Sequence, residues 1–419
     1  MNSYDKFLKF HKFSFICKSI RFLYPIKISD QYRSKSIYKN FISLKILIKI
    51  CYSLQNLIFN ALQNLFFYDK KNIKQSDILI ISHFLNKKQI NTKGDFYFGN
   101  LTEFFKKKKF KYSKLLINHT NFNSNYLNKN SMIPNTYILE RYCDLFTEFK
   151  IFYLQIKELL KISFFYKNIT SNKSFFLSVV YSLFESETKF AIRMHFLLKK
   201  HLKRINPKLV IFTHEGFPWE RLCIKAVKEF NNDIFCIGYQ STILLSKNSL
   251  INKKLNGDFN PDMIWASGES SEKILKKSKK LNKIQVLNVG FLSKKKFKKE
   301  KGLKVKQCLI LPVGNYSECE MLLNFSLQCA KINKELKFIW RLHPVINKKK
   351  ISKNMQIDFD KLPNNIKFSN HSLTNDAKKC SHVLYRSSAA VLDAIKCGCY
   401  PLNYKDKKEA DFDILKNFK

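Results

Sequence analysis

Short apolar runs recur along this chain, and most of them are followed by a polar or glycine-containing turn and a longer stretch with helical periodicity. Near-continuous apolar runs of this kind are typical of strands that are buried on both faces of a parallel sheet. The predicted strands are Asp77–Ser82, Lys114–Asn118, Lys208–Thr213, Asp233–Tyr239, Pro261–Ala266, Ile284–Val289, Gln307–Val313, Leu336–Arg341, Ser381–Arg386 and Tyr400–Tyr404.

Helical stretches lie between these runs. They are predicted at Leu101–Lys108, Tyr137–Tyr166, Ser174–Ile205, Phe217–Phe230, Ser317–Lys334 and Ala389–Cys397. Ser317 is the expected N-cap of its helix, with Glu318 and Glu320 in the positive first turn, and Ser387 is a candidate cap of the last helix. Strands that alternate with helices over this length predict an α/β protein with doubly wound, Rossmann-like sheets.

The chain has 419 residues, which is enough for two domains of this kind. We expect a basic helical segment over 1–70, a Rossmann-like acceptor domain over 71–292 and a second Rossmann-like domain over 307–419. The lysine-rich stretch 293–306 is the predicted linker.

Charge is the strongest feature of the composition. The formal net charge is +44, and because only eight of the basic residues are arginine, lysine supplies most of it. Two interpretations stay open: a coding bias that also enriches Ile, Asn and Phe, and a selected role toward an anionic membrane surface, an activated nucleotide or a nucleic acid. Helix-turn-helix, zinc-finger and RNA-binding signatures are absent, so nucleic acid is not the expected partner.

The cellular location follows from the cysteines and from the hydropathy. Eleven dispersed cysteines are typical of core residues in a reducing cytosol. Phe41–Phe67 is interrupted by lysine and amide side chains, so it is not expected to span a membrane. Packing inside the domain is favoured over an interfacial helix. We expect a cytoplasmic protein, with peripheral contact at the inner face of the membrane as a hypothesis.

Polar residues follow three of the predicted strands in the C-terminal third. They are Gly314-Asn315-Tyr316-Ser317-Glu318, Arg341-Leu342-His343-Pro344 and Arg386-Ser387-Ser388. Ligands bind beyond the carboxyl ends of the strands in open parallel sheets. Imidazole, guanidinium, hydroxyl and helix-terminal N–H groups suit a phosphate ester, which predicts a phosphate or nucleotide site. Arg341 could equally pair with an acidic neighbour, and Glu318 could contact a ribose or only favour the helix start.

A second polar group follows the strand Lys208–Thr213. Glu215 lies beside Gly216 at a strand end that enters a helix, where a carboxylate is well placed as a general base. His214 could orient that base or the acceptor, or make a structural hydrogen bond. Glu220 is expected to stabilise the start of the helix. Gln240, at the end of the next strand, could bind a sugar hydroxyl or a backbone carbonyl.

These motifs together resemble the GT-B glycosyltransferases, which have two Rossmann-like domains facing a cleft. The pattern is similar to bacterial sialyltransferases and related transferases of surface carbohydrate and capsule biosynthesis. The resemblance implies that Glu215-Gly216 supplies the general base and that His343-Pro344 contacts the phosphate of a CMP-sugar. It implies a second phosphate contact from Ser387-Ser388. The chain departs from the family at His214, which stands where the family has the first of two acidic residues.

The resemblance implies an inverting enzyme whose nucleotide-sugar is a substrate, with no cofactor and no metal. The sugar would be sialic acid-like or Kdo, and the acceptor a surface glycan or a lipid-linked molecule. Asp358-Phe359-Asp360 has the spacing of a metal-binding Asp-x-Asp motif but is expected to be a solvated loop. The expected donor-binding residues are Gly314, Asn315, Glu318, Arg341, Pro344, Ser387 and Ser388; the expected acceptor-binding residues are His214, Gly216 and Gln240. Two alternatives stay open: a polyol-phosphate transferase using CDP-glycerol, and a non-catalytic basic protein associated with membranes or nucleic acid.

Overall fold

The computed structural model describes most of the chain from residue 73 onward. The described residues are 50, 51, 55, 73–91, 94–120, 122–130, 133, 135–164, 180, 183–242, 244, 251, 258–278, 281, 284–292, 305–343, 346–405 and 413–416. The predicted basic segment 1–70, with the stretch Phe41–Phe67, lies outside them except for Ile50, Cys51 and Gln55, which are helical. Most of the predicted linker 293–306 and Pro344 also lie outside.

The chain divides into two compact units. The first contains Met1–Thr242 and Lys247–Lys294, and the second contains Ile243–Ser246 and Lys295–Lys419. Each unit is built around its own parallel sheet, so the predicted class of two doubly wound, Rossmann-like α/β domains is confirmed. The ten cysteines that the structure describes are free thiols, and eight of them are buried, as expected for core residues.

The first unit contains a sheet of seven parallel strands in the order β3-β2-β1-β4-β5-β6-β7. The strands are β1 (Ile78–Phe84), β2 (Tyr112–Asn118), β3 (Thr136–Ile138), β4 (Leu209–Thr213), β5 (Phe235–Gln240), β6 (Met263–Ala266) and β7 (Gln285–Asn288). Every residue of β1 is buried, because helices cover both faces of the sheet. The chain builds outward from β1 to one edge and then returns to build outward from β4. This order places the topological switch point between β1 and β4.

Two helical layers cover this sheet. The helices are α1 (Leu101–Lys107), α2 (Ser124–Asn130), α3 (Leu145–Phe164), α4 (Ser186–Ile205), α5 (Pro218–Phe230) and α6 (Glu269–Lys276), with a short 3-10 helix at Lys87–Asn91. Alternate residues of β1 enter opposite layers, since side chains alternate along a strand. Leu79 and Ile81 pack in the core that contains α4 and α5, while Ile78 and Ile80 pack with Phe98 and Phe105 on the other face.

The second unit repeats this plan on five parallel strands in the order β10-β9-β8-β11-β12. The strands are β8 (Val305–Leu311), β9 (Lys337–Trp340), β10 (Ile366–Phe368), β11 (Cys380–Tyr385) and β12 (Tyr400–Asn403); the helices are α7 (Tyr316–Ile332), α8 (Lys348–Met355), α9 (Leu373–Lys379) and α10 (Val391–Lys396). Trp340 is fully buried in one core layer, and its indole N–H donates to Ser326 Oγ at 2.8 Å. The switch point here lies between β8 and β11.

Four details of the sequence prediction are wrong or incomplete. The predicted helix Tyr137–Tyr166 begins instead with strand β3, which pairs with β2, and α3 starts only at Leu145. The side chain of Asn315, not Ser317, caps α7 by accepting the N–H of Glu318. Ser387 does not cap α10, which begins at Val391 after Ala390. The prediction also omitted β10 and the four helices α2, α6, α8 and α9, short elements whose sequences are too polar or too brief to show a clear period.

Candidate functional site

Glu215 lies just beyond the end of β4, beside the switch point of the first sheet. Its side chain is half-buried and is held by residues that follow β5. Oε1 accepts the backbone N–H groups of Ser241 and Thr242, each at 2.9 Å, and the Ser241 hydroxyl at 3.3 Å; Oε2 accepts the Thr242 hydroxyl at 2.6 Å. Burial raises the pKa of Glu215 above its ordinary value, although these hydrogen bonds oppose the shift. The geometry gives a fixed carboxylate with increased basicity.

The turn between Glu215 and α5 has its own backbone requirement. Gly216 has φ of +84°, a left-handed conformation that glycine adopts without the steric cost of a Cβ atom. Glu220, in the first turn of α5, accepts the N–H groups of Glu215 and Phe217, both at 2.8 Å. Its contribution is therefore to fix the backbone beneath Glu215, as its predicted role at the helix start implies. Burial and the nearby Glu215 carboxylate raise the pKa of Glu220.

His214 points away from solvent into the unit. It is fully buried, and neither ring nitrogen has a hydrogen-bond partner among the described residues, although Nδ1 lies 3.4 Å from Glu220 Oε2. Burial holds the pKa of His214 well below its ordinary value, so the ring is neutral. An ideal Cβ at Gly238 would lie 2.7 Å from His214 Cβ and 2.8 Å from Cγ. The bare backbone of β5 therefore makes room for His214.

A pair of histidines that sequence reasoning missed lies at the ends of β1 and β2, and His83 links the pair to β4 across the switch point. His83, at the end of β1, lies 2.7 Å from His119 Nε2 through Nδ1 and 2.8 Å from Thr213 Oγ1 through Nε2. The His83 ring also lies 5.0 Å from the Tyr97 ring and 5.4 Å, edge-on, from that of Trp219. The three polar groups form a hydrogen-bonded chain that ends two residues before Glu215. No local sequence pattern predicts this hydrogen-bonded chain, because His83 and His119 are isolated residues in separate segments.

Burial and the neighbouring His119 lower the pKa of His83 to about 4. The unfolded chain therefore binds a proton at His83 once the pH falls below the ordinary histidine pKa of 6.5, whereas the folded chain binds it only when the pH falls to about 4. We expect the free energy of unfolding to fall as pH drops through this window, with His83 contributing roughly 1–3 kcal/mol of the loss. Chemical denaturation from pH 7 to pH 4 measures this loss, and the free energy of unfolding should fall less steeply with pH in His83→Gln than in the wild type. Parallel profiles for the two proteins would contradict this attribution.

Tyr97 belongs to a loop that a buried acidic residue fixes above the sheet. Asp95 Oδ1 accepts the Ser82 hydroxyl at 2.8 Å and the N–H groups of Tyr97 and Phe98. Its Oδ2 lies 3.5 Å from Nζ of the equally buried Lys114. Burial, followed by the charges of Glu215, Asp95 and Glu220, raises the pKa of Tyr97. Tyr97 is thus a protonated hydroxyl held in the electrostatic neighbourhood of Glu215.

Gln240 is completely buried at the end of β5. Its Oε1 accepts the N–H and hydroxyl of Ser267, at 3.2 and 3.1 Å, while Nε2 has no partner in the described part of the chain. The structure therefore gives it a role in tying β5 to the residues after β6. The predicted acceptor contact would require that unpartnered N–H group.

In the second unit, a buried carboxylate joins the two loops that flank the switch point. Glu318, with no exposed surface, accepts the Ser387 hydroxyl through Oε2 at 2.7 Å and the Val313 N–H through Oε1 at 3.4 Å. Because its carboxylate is engaged in this way, the structure gives Glu318 a positioning role for the loop at Gly314 and for Ser387. Ser388, which follows Ser387, is buried.

Arg341 does pair with an acidic neighbour, one of the two roles left open by the sequence. Its Nη1 lies 3.0 Å from Asp376 Oδ2 and also donates to the His371 carbonyl. Asp376 is buried and accepts the Ser369 hydroxyl through both oxygens. Asp376 therefore orients the guanidinium of Arg341, which stays partly exposed at the end of β9.

His343 is exposed two residues after Arg341, and partial burial lowers its pKa. The neighbouring α8 begins with three lysines, and Lys350 Nζ lies 4.7 Å from the centre of the Tyr316 ring at the start of α7. The Tyr316 hydroxyl accepts the Asn347 N–H at 3.1 Å. The strand ends of this unit thus carry positive charge around the first turn of α7, while Pro344 lies outside the described residues.

The described residues hold no candidate metal site at these strand ends. No group of three or more His, Cys, Asp or Glu side chains could hold a metal ion there. Asp358 and Asp360 are exposed in a turn, as predicted. A cavity of about 490 Å³ lies at the opposite edge of the first sheet, lined by residues such as Ser76, Asn206 and Asn231. No described helix is long and apolar enough to cross a membrane.

Comparisons with known proteins yield structural likenesses only. No family model matches the chain, and no curated protein matches it significantly. Among solved structures, it resembles a protein from Listeria monocytogenes described as a UDP-N-acetylglucosamine 2-epimerase, with 10% identity, 79% of this chain and 80% of that chain covered, and a TM-score of 0.47. It also resembles the UDP-GlcNAc 2-epimerase of Methanocaldococcus jannaschii, with 14% identity, 79% of this chain and 84% of that chain covered, and a TM-score of 0.45. A third similar structure is the glycotransferase of kitacinnamycin, with 8% identity, 80% of this chain and 82% of that chain covered, and a TM-score of 0.43. At these TM-scores, no conclusion about the activity of this chain rests on them.

Proposed function

We propose that this protein is an inverting, metal-independent glycosyltransferase of the GT-B type. It transfers a sugar, of the sialic acid or Kdo kind, from a CMP-activated donor to a surface glycan or a lipid-linked acceptor. The observation that carries the proposal is the chemistry at the two switch points. One carries a fixed carboxylate of raised pKa, and the other carries a serine pair, a histidine and an arginine among lysines.

The first unit supports the acceptor half of the reaction. A general base is most effective when its pKa lies near the pH at which the enzyme operates and when its side chain is held in position. Burial raises the pKa of Glu215 in that direction, and four hydrogen bonds from Ser241 and Thr242 fix its carboxylate. Oε2 accepts only the Thr242 hydroxyl among the described residues, which leaves room for an acceptor hydroxyl.

The second unit supports the donor half. A leaving phosphate gains negative charge as the glycosidic bond breaks, and fixed cations and N–H donors stabilise that charge. His343 is exposed, Arg341 is oriented by Asp376, and the Ser387 and Ser388 side chains follow β11 beside the first turn of α7. Since Ser387 already donates its hydroxyl proton to Glu318, we assign the hydroxyl contact with phosphate to Ser388.

In the proposed reaction the acceptor hydroxyl gives its proton to Glu215 as its oxygen bonds to the anomeric carbon. The bond between that carbon and the phosphate oxygen breaks, and the nucleotide leaves with the electron pair. Direct displacement inverts the configuration. His343, whose pKa is lowered by partial burial, contacts the departing phosphate as an N–H donor and stabilises the charge that develops on it.

We expect CMP to bind the full-length protein, and His343→Ala to weaken this binding about ten- to hundredfold, as the loss of a hydrogen bond to a charged group does. Isothermal titration calorimetry with CMP, UMP and GMP measures both effects. His371→Ala is the matched control, because His371 is an exposed histidine of the same unit that uses only its backbone carbonyl to contact Arg341. Its affinity for CMP should equal that of the wild type.

The other outcomes distinguish the alternatives. A preference for UMP or GMP would keep a nucleotide site in this unit but contradict the CMP-linked donor. Binding of CMP together with turnover of CDP-glycerol, but of no CMP-sugar, would favour the polyol-phosphate transferase. If none of the three nucleotides binds, the proposed donor site is wrong.

A further inference from the structure

Helix α3 has two apolar faces, of which one packs into the body of the first unit and the other exposes large apolar side chains. Its inner face packs into a core cluster through Ile151 and Ile162, together with Leu222 of α5. This orientation is fixed by Glu148, whose oxygens lie 2.6 Å from Arg193 Nε and 2.8 Å from Arg193 Nη2. The helix is therefore attached to the body of the first unit, and the direction of its outer face is determined.

The outer face carries large apolar side chains in a continuous stripe. Their exposed fractions are 78 % for Phe146, 51 % for Phe149, 61 % for Tyr153, 65 % for Leu160 and 81 % for Phe164. The spacings of three, four, seven and four residues keep them on one side of an α-helix. Scattered exposed apolar residues are ordinary, but a stripe along the whole length of a helix indicates an interaction surface.

The charges beside this stripe all have the same sign. Lys150, Lys157 and Lys161 are exposed between the apolar side chains. The two acidic residues of the helix are buried, since Glu148 pairs with Arg193 and Glu158 lies 3.2 Å from Lys161 Nζ. The outer surface of α3 is thus apolar and basic, with no exposed carboxylate on the helix itself.

We propose that this outer face of α3 docks onto an anionic lipid surface. Aromatic and leucine side chains bordered by lysine are the composition with which helices lie in the lipid headgroup region, where the lysines meet lipid phosphates. A second copy of the chain fits less well, because pairing two such faces would bring the same lysines together, and neither helix exposes a carboxylate of its own to pair with them. The net charge of +44 favours an anionic partner further. This proposal does not depend on the transferase reaction.

The docking surface also bears on the acceptor, and this step does rest on the proposed function. The inner face of α3 shares its core cluster with Trp219 and Leu222 of α5, the helix that begins beside Glu215. A bilayer held against α3 would therefore be linked through one packed layer to the proposed base. Within the acceptor classes named above, this favours a lipid-linked molecule over a free glycan.

The test is vesicle flotation of the full-length protein at low and at physiological salt. The vesicles contain either phosphatidylcholine alone or phosphatidylcholine with about one third phosphatidylglycerol. We expect the wild type to float with the anionic vesicles and to bind them less at higher salt. A variant carrying Phe146→Ser, Phe149→Ser, Tyr153→Ser and Leu160→Ser should bind at least tenfold more weakly. A variant with Lys150, Lys157 and Lys161 changed to Gln should lose most of the preference for anionic vesicles.

A matched control removes four exposed apolar side chains elsewhere: Phe104, Phe110, Phe235 and Ile332, each changed to Ser. It should float like the wild type. Failure of the wild type to float, or undiminished flotation of the stripe variant, would overturn the proposal. An equal loss in the control would overturn it as well. Size-exclusion chromatography with light scattering provides the remaining check. If the wild type is an oligomer and the variant with the four serine substitutions in α3 is a monomer, the outer face of α3 binds a second copy of the chain and the lipid proposal is wrong.

Discussion

Glu215→Gln should reduce kcat of the proposed transferase by about 10²–10⁴-fold, the usual contribution of a positioned general base. The substitution is close to isosteric. The amide oxygen can still accept the N–H groups of Ser241 and Thr242, and the amide N–H can donate to the Thr242 hydroxyl in place of the bond it now receives. The fold should therefore survive, so that the loss reports on proton transfer. Single-turnover rates with the CMP-sugar identified by binding would measure it.

Three controls make this result specific. CMP affinity should be unchanged in Glu215→Gln, because the donor residues lie in the other unit. Ser241→Ala should have a smaller effect, because it removes the weakest of the four hydrogen bonds, at 3.3 Å. His119→Ala tests the histidine pair. Full activity in Glu215→Gln with a large loss in His119→Ala would reject Glu215 as the base and point to His119 and His83.

Gly238→Ala should lower the free energy of unfolding by about 1–3 kcal/mol, the range found for overpacked cores. The added methyl group would lie 2.7 Å from His214 Cβ, an atom that cannot rotate away because it is bonded to the backbone of the residue after β4. Relief must come from a shift of β4 against β5. Since Glu215 follows His214 directly, the same shift should also reduce transferase activity. Urea denaturation measures the first effect.

Gly268→Ala is the matched control for this substitution. No atom lies within 4 Å of a Cβ at that position, and φ there is 173°, extended backbone that alanine adopts freely. Its stability should stay within about 0.5 kcal/mol of the wild type, as for ordinary surface positions. The double variant Gly238→Ala with His214→Gly should recover stability relative to Gly238→Ala alone, because the atoms in conflict are removed. A double variant less stable than either single variant would show that the His214 contact is not the cause.

The sequence predicted the strands well because a strand covered on both faces is apolar at almost every position. Ten of the twelve described strands overlap a predicted run, and the differences at their ends are small. It failed at β3, where Thr136–Ile138 is too short to separate from the helix pattern that follows, and at β10, where Ile366–Phe368 contains a lysine. In both cases pairing with a neighbouring strand decided the conformation.

The polar groups at strand ends were also visible in the sequence, since each directly follows an apolar run. The sequence alone therefore places Glu215 after β4 and Ser387 after β11. What the sequence left open was the partner of each side chain. Arg341 proved to have Asp376, and the hydroxyl of Ser387 proved to be donated to Glu318.

By itself, then, the sequence determined the alternation of strands and helices and the edge of each sheet at which chemistry can occur, because both depend on short-range patterns. Only the tertiary structure decided which strand ends are neighbours. The return of the chain from β3 to β4 places β4 beside β1 and brings His83 against Thr213 over 130 positions of sequence, and β5 brings the bare backbone of Gly238 against His214. Contacts of that separation depend on strand order, which no local pattern of apolar and polar residues encodes.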